Sequence, residues 1–239
     1  MNTKRANGFR FLPADGPYSA GVAAEPGFQI VRAHAPYQTP LTKGFRLIED
    51  VLGGSGRPLA ALCALELRVP KPFNRTEWAG FNDGYIAQWK KWEATVDGHI
   101  PGARTNVAPE LDPPGEPCLH AFCYTTAADE KSNDFVISGS AEPDGTAGGL
   151  PAYWAAIAGE LEKRMAALGV TWADATETQF YGTRADHQLF ASEGLTHFAE
   201  MVRPGLRWFF SRPPIDTLNI EVDVRRLTHE SWVTNVTAG

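Results

Sequence analysis

Phe135-Val136-Ile137-Ser138-Gly139 reads as a strand ending in a glycine turn, and the residues after it decide the fold. Leu150, Tyr153, Trp154, Ile157, Leu161, Met165 and Leu168 recur at three- and four-residue spacing, the mark of one apolar helix face, and Gly169 stops the run. Asp174 to Thr183 then reads as a strand. Leu189 to Val202 reads as a helix carrying Leu189, Phe190, Leu195, Phe198, Met201 and Val202. Two strands close the chain, Leu206 to Phe210 and Leu218 to Val224. In the second, Leu218, Ile220, Val222 and Val224 take one face and Asn219, Glu221, Asp223 and Arg225 the other.

Upstream, the same order has already run once. Phe28 to Ala33 is strand-like after the turn at Pro26-Gly27, and Phe45, Ile48, Val51 and Leu52 fall at helical spacing before Gly53-Gly54. Leu59 to Val69 gives a second strand, closed by Pro70 and Pro72. Trp78, Phe81, Tyr85, Ile86, Trp89 and Trp92 form an aromatic stripe along a second helix, read as core. Thr105 to Ala108 and Cys118 to Tyr124 supply two more strands. The small, polar stretch from Thr125 to Asn133 is a linker, dividing the chain into units 1–128 and 129–239. Each unit has two helices, enough to cover one face of its sheet, so the other face is expected to seek a partner and the chain to assemble.

Composition narrows the function classes. The chain has 239 residues and a formal charge of -6, from 22 basic and 28 acidic side chains, with no dense Lys or Arg run. That balance disfavours nucleic acid as a partner. No apolar run approaches membrane-spanning length and none follows the N-terminus as a signal peptide, so no membrane partner and a cytoplasmic location are expected. Cys63, Cys118 and Cys123 make an odd count without CxxC spacing and read as reduced thiols. The six histidines show no HxH or HExxH spacing, and no glycine-rich phosphate loop is visible.

One arginine stands out. In Ile100-Pro101-Gly102-Ala103-Arg104-Thr105-Asn106-Val107, Arg104 sits in an extended run between a turn and Pro109. A guanidinium there can grip a substrate carboxylate through two parallel N–H bonds, or it can serve a structural ion pair.

Gly16-Pro17-Tyr18-Ser19, Phe81-Asn82 with Tyr85, and Gly102-Ala103-Arg104-Thr105 together resemble the successive marks of the RidA (YjgF/UK114) family of reactive-intermediate deaminases. In the second unit Phe135 to Gly139, Ala166-Ala167-Leu168-Gly169-Val170 and Glu221-Val222-Asp223 are similar to the same marks. The resemblance covers nearly the whole chain and points to the branch that deaminates 2-aminomuconate. It implies an α+β fold of two tandem chorismate-mutase-like units, each a β-sheet backed by two helices. It further implies a homo-oligomer, a trimer with six units or something smaller, with ligand clefts between units.

The activity so implied is hydrolysis of 2-imino or enamine acids to 2-oxo acids and ammonia, with no metal or organic cofactor and a small carboxylate-bearing substrate. By the same resemblance Arg104 binds the substrate carboxylate. Tyr18 donates its hydroxyl to the bound acid or is a packed aromatic near a turn; Asn82 is a site amide or an ordinary helix-face amide. The family's water-activating carboxylate is missing from Cys118 to Phe122, where His120 is either a substitute general base or a structural strand histidine. The second unit keeps Glu221 and Asp223, and Ser138-Gly139, where the first has Arg32-Ala33; its arginine, Arg207, lies among bulky aromatics. Neither unit is complete alone, which suggests one composite cleft using Arg104, Tyr18 and Asn82 from the first with Ser138-Gly139 or Glu221 from the second. Asn106 stands where the family often has cysteine, and the insertion through Thr95 to His99 lengthens the cleft rim, which suits a dicarboxylate. A non-catalytic carboxylate-binding protein is the alternative. Endoribonuclease activity is disfavoured by the acidic charge.

Overall fold

A computed structural model describes residues 2–130, 132–192, 200, 203 and 205–234. Its strands are β1 (Lys4–Arg5), β2 (Phe9–Pro13), β3 (Ser19–Ala24), β4 (Phe28–Pro40), β5 (Leu62–Arg68), β6 (Ala103–Pro109), β7 (Cys118–Ala127), β8 (Phe135–Ala141), β9 (Glu177–Gly182), β10 (Leu206–Arg212), β11 (Glu221–Arg226) and β12 (His229–Trp232). The helices are α1 (Leu41–Gly54), α2 (Arg75–Lys91), α3 (Gly149–Leu168) and α4 (Arg184–Ser192). Leu195, Phe198, Met201 and Val202 of the expected last helix lie outside the described residues. Two stretches read as strand begin instead as 3-10 turns, Leu59–Ala61 and Trp172–Asp174.

The strands lie in the order β1-β2-β3-β8-β11-β9-β10-β6-β5-β7-β4-β12. Within it the first half reads β6-β5-β7-β4 and the second β10-β9-β11-β8, the same arrangement of corresponding strands. In both, the first and second strands of the β–α–β unit's far end run parallel, β5 with β6 and β9 with β10. Each half packs its helices on one sheet face. Leu47, Ile48 and Leu52 of α1 and Tyr85 and Trp89 of α2 close over Leu65 and Leu67. Trp154, Ile157, Leu161 and Met165 of α3 and Phe190 of α4 close over Ile137, Phe180, Val222 and Val224.

The opposite sheet faces find company inside the chain. Glu66 of β5 is gripped by Arg32 of β4 at 2.6 and 2.8 Å and by Arg225 of β11, and Asp223 accepts from Arg225 at 2.8 Å, Thr105 at 3.0 Å and Tyr181 at 3.0 Å. All six of these side chains are buried. Burial of so many charges is tolerated because each carboxylate meets at least one guanidinium and further donors. Beside them, Phe9, Phe11, Val22, Ile30, Cys63, Cys123 and Val136 form an apolar layer drawn from both halves. The three cysteines are free.

Among the described residues, pairing between strands crosses the expected division at residue 128 three times, the first where β10 meets β6 antiparallel. The hairpin β2–β3 extends the second half's sheet by pairing β3 with β8, whereas β12 runs parallel to β4 of the first half. Each half is thus finished by a segment of the other's sequence.

Candidate functional site

Register on β6 aims Arg104 at α2. Arg104 pairs with Leu65 of β5, and Leu65 faces the helices, so the arginine does too. The sequence builds the wall it meets. Asn74 caps α2 by accepting from the N–H groups of Thr76 and Glu77, while Glu77 accepts from the Asn74 N–H. Trp78, Asn82 and Tyr85, spaced four and three apart, then share a face.

The Arg104 guanidinium carbon lies 4.4 Å from the Tyr85 ring centroid, 4.8 Å from Tyr18 and 5.2 Å from Trp78. Its Nη1 donates to Asn82 Oδ1 at 2.9 Å. Among the described residues no carboxylate forms an ion pair with it. Three aromatic faces and one amide stabilise the cation and hold it in place, yet leave donors free for a carboxylate brought from outside.

The second half supplies the facing wall. Ser138 Oγ accepts from the Arg104 N–H at 3.2 Å and donates to the Ser19 carbonyl at 2.7 Å, tying β8, β6 and β3 together. Gly139 does not form a turn; it lies within β8, and its lack of a side chain makes room for Glu221. A Cβ placed there would come 1.9 Å from Glu221 Oε1. Glu221 is buried, and its carboxyl meets the Asn106 N–H. Burial, then the neighbouring Asp223, push its pKa up to about 8, against the opposing pull of Arg104, the Asn106 N–H and Arg68. At neutral pH the group therefore holds its proton.

Tyr18, Arg104, Ser138, Gly139 and Glu221 line one cleft of about 360 Å3, with Asn82 behind Arg104. The structure does not bring His120 there. His120 is the extra residue of a bulge, left between the pairs Glu66–Ala121 and Leu67–Leu119, and it lines a separate cavity with His34, Tyr37, Arg68 and Trp232. Burial and then the Arg68 charge lower its pKa to about 3, so its imidazole is a far weaker base than its intrinsic value suggests. Arg207 is likewise not the counterpart of Arg104. In β10 it is Trp208 that pairs with the helix-facing Phe180, and Trp208 packs there, its Nε1 donating to the Gly182 carbonyl at 3.2 Å. Arg207, one residue away, points to the other face and meets Glu177 at 2.9 Å.

Trp78 carries no sequence signal that sets it apart from core: it belongs to the aromatic stripe, and only the position of Arg104 distinguishes it from Trp89 and Trp92, whereas Tyr85 of the same stripe is also one of the marks of the resemblance. Asn106 and Arg164 also line the cleft. The Asn106 Oδ1 is buried and has no hydrogen-bond partner among the described residues. Among the described residues no three His, Cys, Asp or Glu side chains converge in a way that could hold a metal ion.

The chain is similar to proteins already known. A family model described as 2-aminomuconate deaminase CnbZ matches residues 1–231. A 2-amino-5-chloromuconate deaminase of Comamonas testosteroni is 34% identical over 241 residues, covering 94% of this chain and 95% of the relative. Among solved structures, a chorismatase superposes with a TM-score of 0.51 at 11% identity, covering 94% of this chain and 79% of that one. Rv2704 of Mycobacterium tuberculosis, from the YjgF/YER057c/UK114 family, gives a TM-score of 0.34 at 17% identity over 44% of this chain and 83% of its own.

Proposed function

The chain belongs to the CnbZ family of 2-aminomuconate deaminases, with the α+β, chorismate-mutase-like fold of RidA proteins, and from that premise we propose that its cleft hydrolyses an enamine or imine acid to a 2-oxo acid and ammonia. The single observation that carries this reading is the pairing, in one cleft, of an arginine with no carboxylate partner among the described residues and a buried carboxyl with a pKa of about 8. The first is what a substrate carboxylate requires. The second is what proton transfer near neutral pH requires.

In the proposed sequence the substrate carboxylate docks on Arg104, steadied by the rings of Tyr18, Trp78 and Tyr85. Docking neutralises the charge that opposes protonation of Glu221, so the carboxyl becomes a firmer proton holder as the substrate arrives. Protonated Glu221 delivers its proton to the enamine carbon, and the electron pair of the C=C bond takes it up, leaving an iminium. The Glu221 carboxylate then accepts a proton from water as the water oxygen bonds to the iminium carbon. Collapse of the resulting carbinolamine expels ammonia and leaves the 2-oxo acid. Water enters once: one of its protons restores the Glu221 carboxyl for the next turnover, and the other passes from the carbinolamine hydroxyl to the nitrogen that leaves as ammonia. Ser138 and Gly139 position rather than react: one anchors the Arg104 backbone, the other leaves space for the carboxyl.

Arg104→Ala tests the carboxylate contact. Ammonia release from a 2-aminomuconate-type substrate should show kcat/KM lowered by about 10- to 100-fold, the worth of a charge-assisted contact. An unchanged kcat/KM would remove Arg104 from the site and the proposal with it.

A further inference from the structure

Arg164, from the second half, lines the same cleft as Arg104. It lies in the last turns of α3, and its side chain retains 17% exposure. Its Nε donates to Glu160 Oε1 at 2.9 Å, one helical turn back, and its Nη1 donates to the Ser138 carbonyl at 3.2 Å. Among the described residues its Nη2 makes no hydrogen bond. The guanidinium is therefore held at two points, with one face of its donor fork still unused.

Ser138 sits between the two arginines. Its Oγ accepts from the Arg104 backbone and its carbonyl accepts from the Arg164 side chain, so one residue of β8 sets the position of both. Arg104 belongs to the first half and Arg164 to the second, and both line the cleft of about 360 Å3. That is within the range of small-molecule sites, about 300–1,000 Å3. The acidic groups at hand do not cancel this pair: Glu160 is 40% exposed and already spent on Arg164, Asp15 is an exposed lining residue, and Glu221 holds its proton at neutral pH.

We propose that Arg164 is a specificity-determining residue that binds the second carboxylate of a dicarboxylate substrate, while Arg104 binds the carboxylate next to the reacting carbon. A small imino acid with one carboxylate would occupy only the Arg104 end. A chain with carboxylates at both termini spans the cleft, and its hold on both arginines fixes where the reacting carbon sits relative to Glu221. The inference rests on the deaminase reading of the cleft, but its test needs no turnover.

The probes are trans,trans-muconate, a six-carbon diene with two terminal carboxylates, and sorbate, the same trans,trans carbon chain with a methyl group replacing one of them. Calorimetric titration of the unmodified protein should show muconate bound about 10- to 100-fold more tightly than sorbate. Arg164→Gln, which keeps a donor for the Ser138 carbonyl, should bring the two ligands to within about twofold by weakening muconate alone. Arg164→Ala should do the same, and Arg104→Ala should weaken both ligands. An unmodified protein without preference, or an Arg164→Gln protein that keeps it, would overturn the proposal. Failure of the deaminase reading would appear separately, as binding of muconate without ammonia release from the amino compound.

Discussion

A carboxyl buried beside Asp223 and turned toward Arg104 gives up the solvation that usually keeps glutamate ionised, and this makes Glu221 useful for proton transfer. Its position depends on a residue with no side chain. Gly139 adopts ordinary strand geometry, so an alanine is acceptable to the backbone, but the added methyl would occupy the place of the Glu221 oxygen. Gly139→Ala should therefore reduce kcat by about tenfold or more, by moving the proton donor. Sorbate affinity should stay within about twofold, since Arg104 is untouched. Steady-state kinetics beside a sorbate titration separate the two effects; a parallel loss of both would mean the substitution disturbs the whole cleft.

Among the elements, α2 does the most for the site, because it presents Trp78, Asn82 and Tyr85 to Arg104 from its first three turns. The capping box at Asn74 holds that end. Asn74→Ala should cost about 1 kcal/mol of stability, measured by denaturant titration, and should raise KM more than it lowers kcat as the first turn frays. Much at this scale was legible in the sequence. The helices α2 and α3 and the apolar face of β11 follow from spacing, because each buries a continuous stripe against a sheet. The hairpin β2–β3 and strand β12 were not legible, because β3 and β12 each pair with a strand more than a hundred residues away, and small residues such as Ala20, Gly21 and Ala23 carry little strand preference of their own. Arg207 was misplaced by a single residue, which in a strand moves a side chain to the other face. Arg104, Tyr18, Asn82, Ser138, Gly139 and Glu221 were named from sequence, and the structure gathers them around one cleft. It leaves His120 in another cavity, since the bulge that re-aims it has no sequence signature. Arg164 was invisible because an exposed-looking helix arginine four residues after a glutamate reads as a surface ion pair.

At the scale of the molecule, the cleft exists only because the two halves are locked together. The lock is the buried cluster of Arg32, Glu66, Asp223 and Arg225, reinforced by the exchange of β3 and β12 between halves. Glu66 is central to it. Arg225 and Arg32 outweigh the cost of its burial and hold its carboxyl well below the usual carboxylate range. Glu66→Ala would leave both guanidinium groups buried beside too little negative charge, and should destabilise the protein by about 3–5 kcal/mol. The loss should appear in one cooperative unfolding transition, followed by tryptophan fluorescence in both halves, because neither sheet is complete alone. Two separate transitions, with one half unaffected, would show that the halves stand independently and that the cleft is not fixed by their union.

Proton donation by Glu221 in a cleft shared by both halves is tested most directly by the pH dependence of ammonia release. For the unmodified protein, kcat/KM on a 2-aminomuconate-type substrate should be level below neutral pH and fall above a pKa of about 8, as Glu221 loses the proton it must deliver. Glu221→Gln should lower kcat/KM by about 100- to 10,000-fold and abolish that break. A Glu221→Gln enzyme of undiminished rate, or one showing the same fall above pH 8, would contradict the account.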